Sequence, residues 1–199
     1  MKAMILAAGR GERMRPLTDH TPKPLLKAAG KALIEYTLEN LAHAGFTEIV
    51  INIAHLGEQI KDYCENGKRW NVSIEYSDEG ETALETAGGI AKALPLLGDE
   101  PFLVLNADII CDYPLANLRT KAIDLAHLVM INNPPHHPEG DFSLNAGGLL
   151  VEQGLNKLTF SGIGVYHPKL FANIPAAPLK LRPVLNRAMQ QQRISGEKF

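Results

Sequence analysis

Cysteine is scarce. Cys64 and Cys111 are the only two in 199 residues, and no Cys-x-x-Cys pair occurs. That excludes a disulfide framework and a thiolate zinc site, and fits two reduced thiols in a cytoplasmic protein. Long apolar runs are missing as well. The opening Met1-Lys2-Ala3-Met4-Ile5-Leu6-Ala7-Ala8 is apolar but short, and Arg10, Glu12, Arg13 and Arg15 follow at once. It reads as neither a signal peptide nor a membrane span, so no membrane partner is expected. Nor is there an excess of basic charge: 20 Lys and Arg face 22 Asp and Glu, for a net charge of −2. The general electrostatic footprint of a DNA- or RNA-binding domain is therefore absent. A small anionic substrate needs only a few local cations and stays open. Repeats, low-complexity tracts and linkers are also wanting, so residues 1–199 read as one domain with its own core.

What is present is an alternation of apolar strands and helical patterns. Ala3–Ala7 is a buried strand running into Gly9-Arg10-Gly11. Leu33–Ala44 carries apolar residues at helical spacing and is stopped by Gly45. Strands over Glu48–Ile53, Val72–Tyr76 and Phe102–Asn106 alternate with helices over Leu56–Glu65 and Ala87–Leu97. This order predicts an α/β protein with a doubly wound, mostly parallel, Rossmann-like sheet. Ligands of such sheets bind at the carboxyl ends of the strands. Ala8–Met14 and Ala107-Asp108 are thereby placed on one rim. The second half is less regular: a strand at Leu125–Ile131, a Pro-rich loop at Asn132–Asp141, short strands at Phe142–Val151, Leu158–Phe160 and Gly164–Tyr166, and a last helix at Leu181–Gln192 with Pro183 in its first turn.

The chemistry concentrates in Leu6-Ala7-Ala8-Gly9-Arg10-Gly11-Glu12-Arg13-Met14-Arg15-Pro16-Leu17-Thr18, followed by Pro22-Lys23-Pro24. A strand leading into a two-glycine turn presents backbone N–H groups to anionic oxygens and lets a phosphate come close. Arg13 can chelate two phosphate oxygens, and Lys23 acts as a point charge. No third glycine and no Gly-Lys-Ser/Thr follows, so this is neither a dinucleotide fingerprint nor a Walker loop. A second feature is Asp108, at the end of an apolar strand, where a carboxylate needs a partner or a metal. A hard oxygen there suits Mg²⁺ or Mn²⁺. His136 and His137 stand in a proline-rich loop without a ligand cluster and read as solvated. Glu79 and Glu81 read as an acidic run, with binding the lesser alternative. Lys180 reads as a charge at a helix end.

Taken together, the glycines, Arg13, Pro16, Thr18 and Pro22-Lys23-Pro24 resemble the signature of the sugar-1-phosphate nucleotidyltransferases. The likeness extends through Leu84-Glu85-Thr86-Ala87-Gly88-Gly89, similar to the family segment beside the nucleobase. It continues in Phe102–Asp108, similar to the strand that delivers the metal-binding aspartate, with Ala107 where the family commonly has Gly. Leu33-Ile34-Glu35-Tyr36, Gly140-Asp141-Phe142, Thr159-Phe160-Ser161-Gly162 and Ser195-Gly196-Glu197 resemble the uridylyltransferase branch that serves bacterial cell-wall recycling.

The resemblance implies a nucleotide-diphospho-sugar transferase (GT-A-like) fold and transfer of UMP from UTP to N-acetylmuramic acid 1-phosphate, releasing pyrophosphate. It implies Arg13 and Lys23 as catalytic residues, and nucleotide contacts from Ala8, Gly9, Gly11, Glu12, Arg13, Lys23, Gly88 and Asn106. Asp141 and Gly162 are implied for the sugar phosphate, and Asp108 for Mg²⁺ or Mn²⁺. A monomer or small homo-oligomer is expected. Family members also carry a Trp-x-Asp-x-Gly-Thr segment whose Asp is a second metal ligand. None occurs in these residues, so the domain is expected to lack the family's C-terminal end. Two alternatives stay open: guanylyl or thymidylyl transfer to a hexose 1-phosphate, and a non-catalytic nucleotide-binding relative.

Overall fold

The computed structural model describes residues 1–199. Eleven strands and four α-helices follow one another as β1 (Ala3–Leu6), β2 (Lys27–Ala28), β3 (Lys31–Ala32), α1 (Leu33–His43), β4 (Glu48–Ile53), α2 (Gly57–Cys64), β5 (Ser73–Asp78), α3 (Glu85–Leu97), β6 (Phe102–Asn106), β7 (Ala126–Ile131), β8 (Ser143–Leu144), β9 (Leu150–Val151), β10 (Thr159–Tyr166), α4 (Leu181–Gln190) and β11 (Ile194–Lys198). Seven strands form one sheet in the order β11-β7-β10-β6-β1-β4-β5. All neighbours pair parallel except β10, which runs antiparallel to both β6 and β7. The mostly parallel, doubly wound sheet expected from the alternation is present.

Period-two burial explains the layering. Ala3 and Ile5 of β1, and Ala7 just beyond it, face a core shared with Ile34, Leu38 and Leu41 of α1 and Ile60 of α2. Met4 faces the opposite core, with Ala87, Ile90 and Ala93 of α3 and Val184, Leu185 and Ala188 of α4. Strands covered on both faces must be apolar throughout, and Phe102–Leu105 are all buried. The chain moves outward from β1 to β4 and β5, then returns to β6 on the other side of β1. That reversal opens a crevice above the carboxyl ends of β1, β4 and β6.

Two details of the second half differ from expectation. Leu158–Tyr166 is one strand region, not two separate strands, because a register shift between Phe160 and Gly164 absorbs Gly162 at φ +85° as a bulge. The Phe142–Val151 stretch is only a small hairpin, β8–β9, whose turn is closed by Asn145 accepting from Gly147 N at 2.9 Å and Leu149 N at 3.0 Å. The β2–β3 hairpin and β11 carry no strong apolar alternation, and nothing in the sequence pattern announces them. β11 is bound to β7 over its whole length.

Candidate active site

The register of three strands builds the floor. Leu6, the last residue of β1, pairs with Asn52 of β4 on one side and Asn106 of β6 on the other. Beyond Leu6 the chain leaves the sheet: Ala7 N donates to Asn52 Oδ1 at 2.8 Å, and Leu6 O accepts from Ala107 N at 3.1 Å. The Ala8–Gly11 turn rises from this point. Gly11 takes φ +66°, and its carbonyl accepts from the hydroxyl of Thr18 at 2.9 Å. Thr18 is itself buried, and a β-carbon on Gly11 would lie 2.9 Å from its methyl group. Glycine is therefore needed for both conformation and room. Glu12–Met14 then form a single 3-10 turn that turns Arg13 out to solvent.

A cavity of about 900 Å³ opens over this floor. Ala8, Gly9, Gly11, Glu12, Arg13, Lys23, Asn106 and Asp108 all line it, so eight of the residues singled out in the sequence share one wall although Gly9 and Asp108 are far apart in the chain. Lys23 and Asp108 meet directly in an ion pair, each side chain 31% exposed. Lys23 starts a short 3-10 turn held by the buried Pro24.

The opposite wall holds a network that sequence reading missed. The sequence places Glu79 in a solvated acidic run, but it is 7% exposed. It accepts from Asn52 Nδ2 at 2.6 Å and from Leu84 N at 2.6 Å. Asn52 is 3% exposed and carries the chain of bonds on to Ala7. Helix α3 crosses directly over the pair at Gly89, where a β-carbon would run into Glu79 Oε1. Glu79, Asn52, Ala83, Glu85 and Thr86 also line the cavity. The signal was a charged residue at the end of a strand, one place beyond Asp78. Asp78 is the solvated member of the two: the Gly80 N–H holds its carboxyl below the usual range against a smaller opposing effect of burial, with help from Lys61.

Three expected contacts lie off this wall. Gly88 is buried against the segment before α4: a β-carbon there would collide with Ala177 O, and Gly88 N reaches Leu179 O at 3.3 Å. The first turn of α3 meets the cavity through Glu85 and Thr86 instead, because the helix turns Gly88 and Gly89 toward the interior. Asp141 accepts from Phe160 N at 2.9 Å and lies 3.4 Å from His137 Nε2 and 3.5 Å from Arg182 Nη1, so it pins the 132–141 loop to β10. Gly162 is near but outside the lining; a β-carbon on it would come within 2.7 Å of Asn106 Nδ2.

The family model for nucleotidyl transferases matches residues 2–144, which carry all of the cavity lining. The chain belongs to this family. It is 55% identical over its full length to the N-acetylmuramate alpha-1-phosphate uridylyltransferase of Neisseria meningitidis serogroup B, covering 89% of that protein. It is 34% identical over 98% of its length to the protein of the same name from Caulobacter vibrioides, covering 86% of it. Its fold superposes, at a TM-score of 0.77 and 20% identity, on a UDP-glucose pyrophosphorylase complexed with UDP-glucose, covering all of this chain and 91% of the other. No helix is long and apolar enough to cross a membrane.

The donor set also bears on a metal. Nowhere do three His, Cys, Asp or Glu residues gather as a ligand cluster. Four carboxylates line the cavity, those of Glu12, Glu79, Glu85 and Asp108, and Asp108 stands partly exposed near the glycine turn, paired with Lys23. That donor set would suit a hard divalent cation held together with a phosphate ligand, and does not fit a cage built by the protein alone.

Proposed function

We propose that the chain transfers UMP from UTP to N-acetylmuramic acid 1-phosphate, giving the UDP-sugar and pyrophosphate. One observation carries the reaction class: the glycine turn, Arg13, Lys23 and Asp108 converge on a single cavity at the strand ends. The choice of UTP and of the amino-sugar acid rests on the identity to the Neisseria and Caulobacter proteins of that name.

In this reading a phosphate oxygen of the sugar 1-phosphate attacks the α-phosphorus of UTP, and the bond from that phosphorus to the β-phosphate bridging oxygen breaks. The electron pair leaves with pyrophosphate. Nothing is needed from a protein nucleophile; positioning and charge neutralisation supply the catalysis. The N–H groups of the Ala8–Gly11 turn receive phosphate oxygens, with Glu12 at the start of the following 3-10 turn. Arg13, exposed and without a carboxylate partner, neutralises the departing pyrophosphate. Lys23 neutralises charge at the α-phosphate. Asn106 holds the floor between phosphate and sugar. Asp108 would hold the divalent cation, which when bound supplies Lewis-acid charge to the phosphate oxygens. Gly162 opens room beside Asn106 for the sugar, and Asp141 keeps the loop over that side in place.

The test is pyrophosphate release with a matrix of triphosphates (UTP, CTP, GTP, TTP) and sugar phosphates (N-acetylmuramic acid, glucose and mannose 1-phosphates), with Mg²⁺. Release is expected with UTP and N-acetylmuramic acid 1-phosphate well above every other pair. Preferred turnover of GTP with mannose 1-phosphate would replace the substrate assignment. No release with any pair, alongside calorimetric UTP binding, would make the chain a binding protein.

A further inference from the structure

Three basic side chains line the cavity: Arg10, Arg13 and Lys23. Neither arginine has a carboxylate partner, whereas Lys23 is neutralised by Asp108. The residue suited to phosphate and the residue suited to a cation are thus spent on each other in the ligand-free protein. We infer that Lys23 is a stand-in cation for Asp108, and that it leaves the carboxylate for phosphate when a nucleotide enters, so that triphosphate and divalent cation bind cooperatively and the free protein holds the cation weakly. This rests on the proposed assignment of Asp108 to the metal.

The geometry says which part moves. Pro22 precedes Lys23, the buried Pro24 follows it, and a β-carbon on Gly11 would lie 3.1 Å from the β-carbon of Lys23. The base of the side chain is therefore held against the glycine turn. The exchange is a swing of its flexible outer methylenes between Asp108 and the phosphate-receiving turn. The pair is partly exposed, so water screens it and breaking it costs little. A triphosphate offers Lys23 more negative charge than one carboxylate, and Asp108 is then released to a divalent ion. Linkage makes the effect mutual, since whatever helps the cation bind helps the nucleotide by the same factor.

The test uses the full chain. Mn²⁺ binding is followed by electron paramagnetic resonance, without nucleotide, in wild type, Lys23→Met and Asp108→Asn, with circular dichroism to confirm the fold. Removing the ammonium should tighten Mn²⁺ by up to about fivefold, corresponding to the upper value of an exposed pair. Asp108→Asn should weaken Mn²⁺ binding in the presence of UTP. In EDTA, calorimetry of UTP on wild type, both single variants and the double variant closes a cycle. Asp108→Asn should tighten UTP by a larger factor when Lys23 is present than in the Lys23→Met background, because only then does it also free an ammonium. Equal Mn²⁺ affinity for Lys23→Met and wild type, or the same effect of Asp108→Asn in both backgrounds, overturns the exchange while leaving the metal assignment standing. If Asp108→Asn leaves Mn²⁺ binding to the UTP complex unchanged, Asp108 is not a ligand and both ideas fall.

Discussion

At the scale of single residues, the Glu79–Asn52 network turns on a count of donors. Ala7 N–H, Leu84 N–H and the Asn52 amide donate; Asn52 Oδ1 and the two oxygens of Glu79 accept. Glu79→Gln removes one acceptor, and no flip of either amide restores it, so one buried donor is always left facing another. The expected result is a loss of about 1–3 kcal/mol in denaturant unfolding, with weaker UTP binding by calorimetry because Leu84 and the start of α3 are no longer held. Unchanged stability would mean that the oxygens of Glu79 are satisfied in some other way. Arg13→Lys keeps the charge but loses the planar fork; kcat is expected to fall about tenfold or more with the fold intact. Glu79 was not legible because its neighbours Asp78, Gly80 and Glu81 are polar, and only the approach of Gly89 from α3 shuts it from water. That Arg13 and Asp108 line the cavity was legible because they follow a glycine turn and a strand end whose local geometry is set within a few residues; Lys23 was legible through its Pro22-Lys23-Pro24 setting.

At the scale of elements, the contact between α3 and the segment before α4 joins the two halves of the chain. Leu179 O accepts from Ala87 N at 2.9 Å and Leu179 N donates to Leu84 O at 3.0 Å, so a distant segment caps the first turn of α3. Gly88 is the residue that allows this approach. Gly88→Val should push Ala177 away from α3, at a cost of about 1–3 kcal/mol from overpacking alone. Limited proteolysis should then cut sooner between Phe171 and Lys180. A variant as stable and as protease-resistant as wild type would mean that the segment docks without that close contact. The sequence places a Gly-Gly pair at the start of a helix beside the cavity; which side of the helix faces the ligand depends on how α3 lies on the sheet, and that is a tertiary matter.

At the scale of the whole molecule, the far edge of the sheet is held by charge as well as by the β7–β11 ladder. Burial pushes the Glu197 carboxyl up, but the Lys121 ammonium and the Tyr113 hydroxyl, with His127, outweigh it and hold it down at about 2. His127, buried on β7, bonds Ser195 Oγ at 2.8 Å, and its Nε2 lies 3.2 Å from Glu197 without hydrogen-bond alignment. Burial first, and then Lys121, lower its pKa below the usual 6.5, against the pull of Glu197. The signs agree. A depressed carboxylate stabilises above its unfolded pKa of 4.5 and loses that contribution as pH falls toward 2. A depressed imidazole likewise contributes above 6.5 and loses as pH falls below it. Stability should therefore decline with acid in two stages. Glu197→Gln should cost about 1 kcal/mol at pH 7, a value reduced for partial exposure, and less near pH 3; unfolding curves across pH 3–8 measure it. A pH-independent difference would remove the charge from the explanation.

The sequence by itself determined the strand–helix alternation, the parallel core and the chemistry of the glycine turn, because each depends on period, turn residues and side-chain type within a few positions. Only the tertiary structure decided that Glu79 is buried, that Gly88 faces Ala177, that Asp141 serves the loop and that Lys23 rests on Asp108. Those facts depend on which segments, distant along the chain, meet across the sheet, and no local pattern of residues encodes that distance.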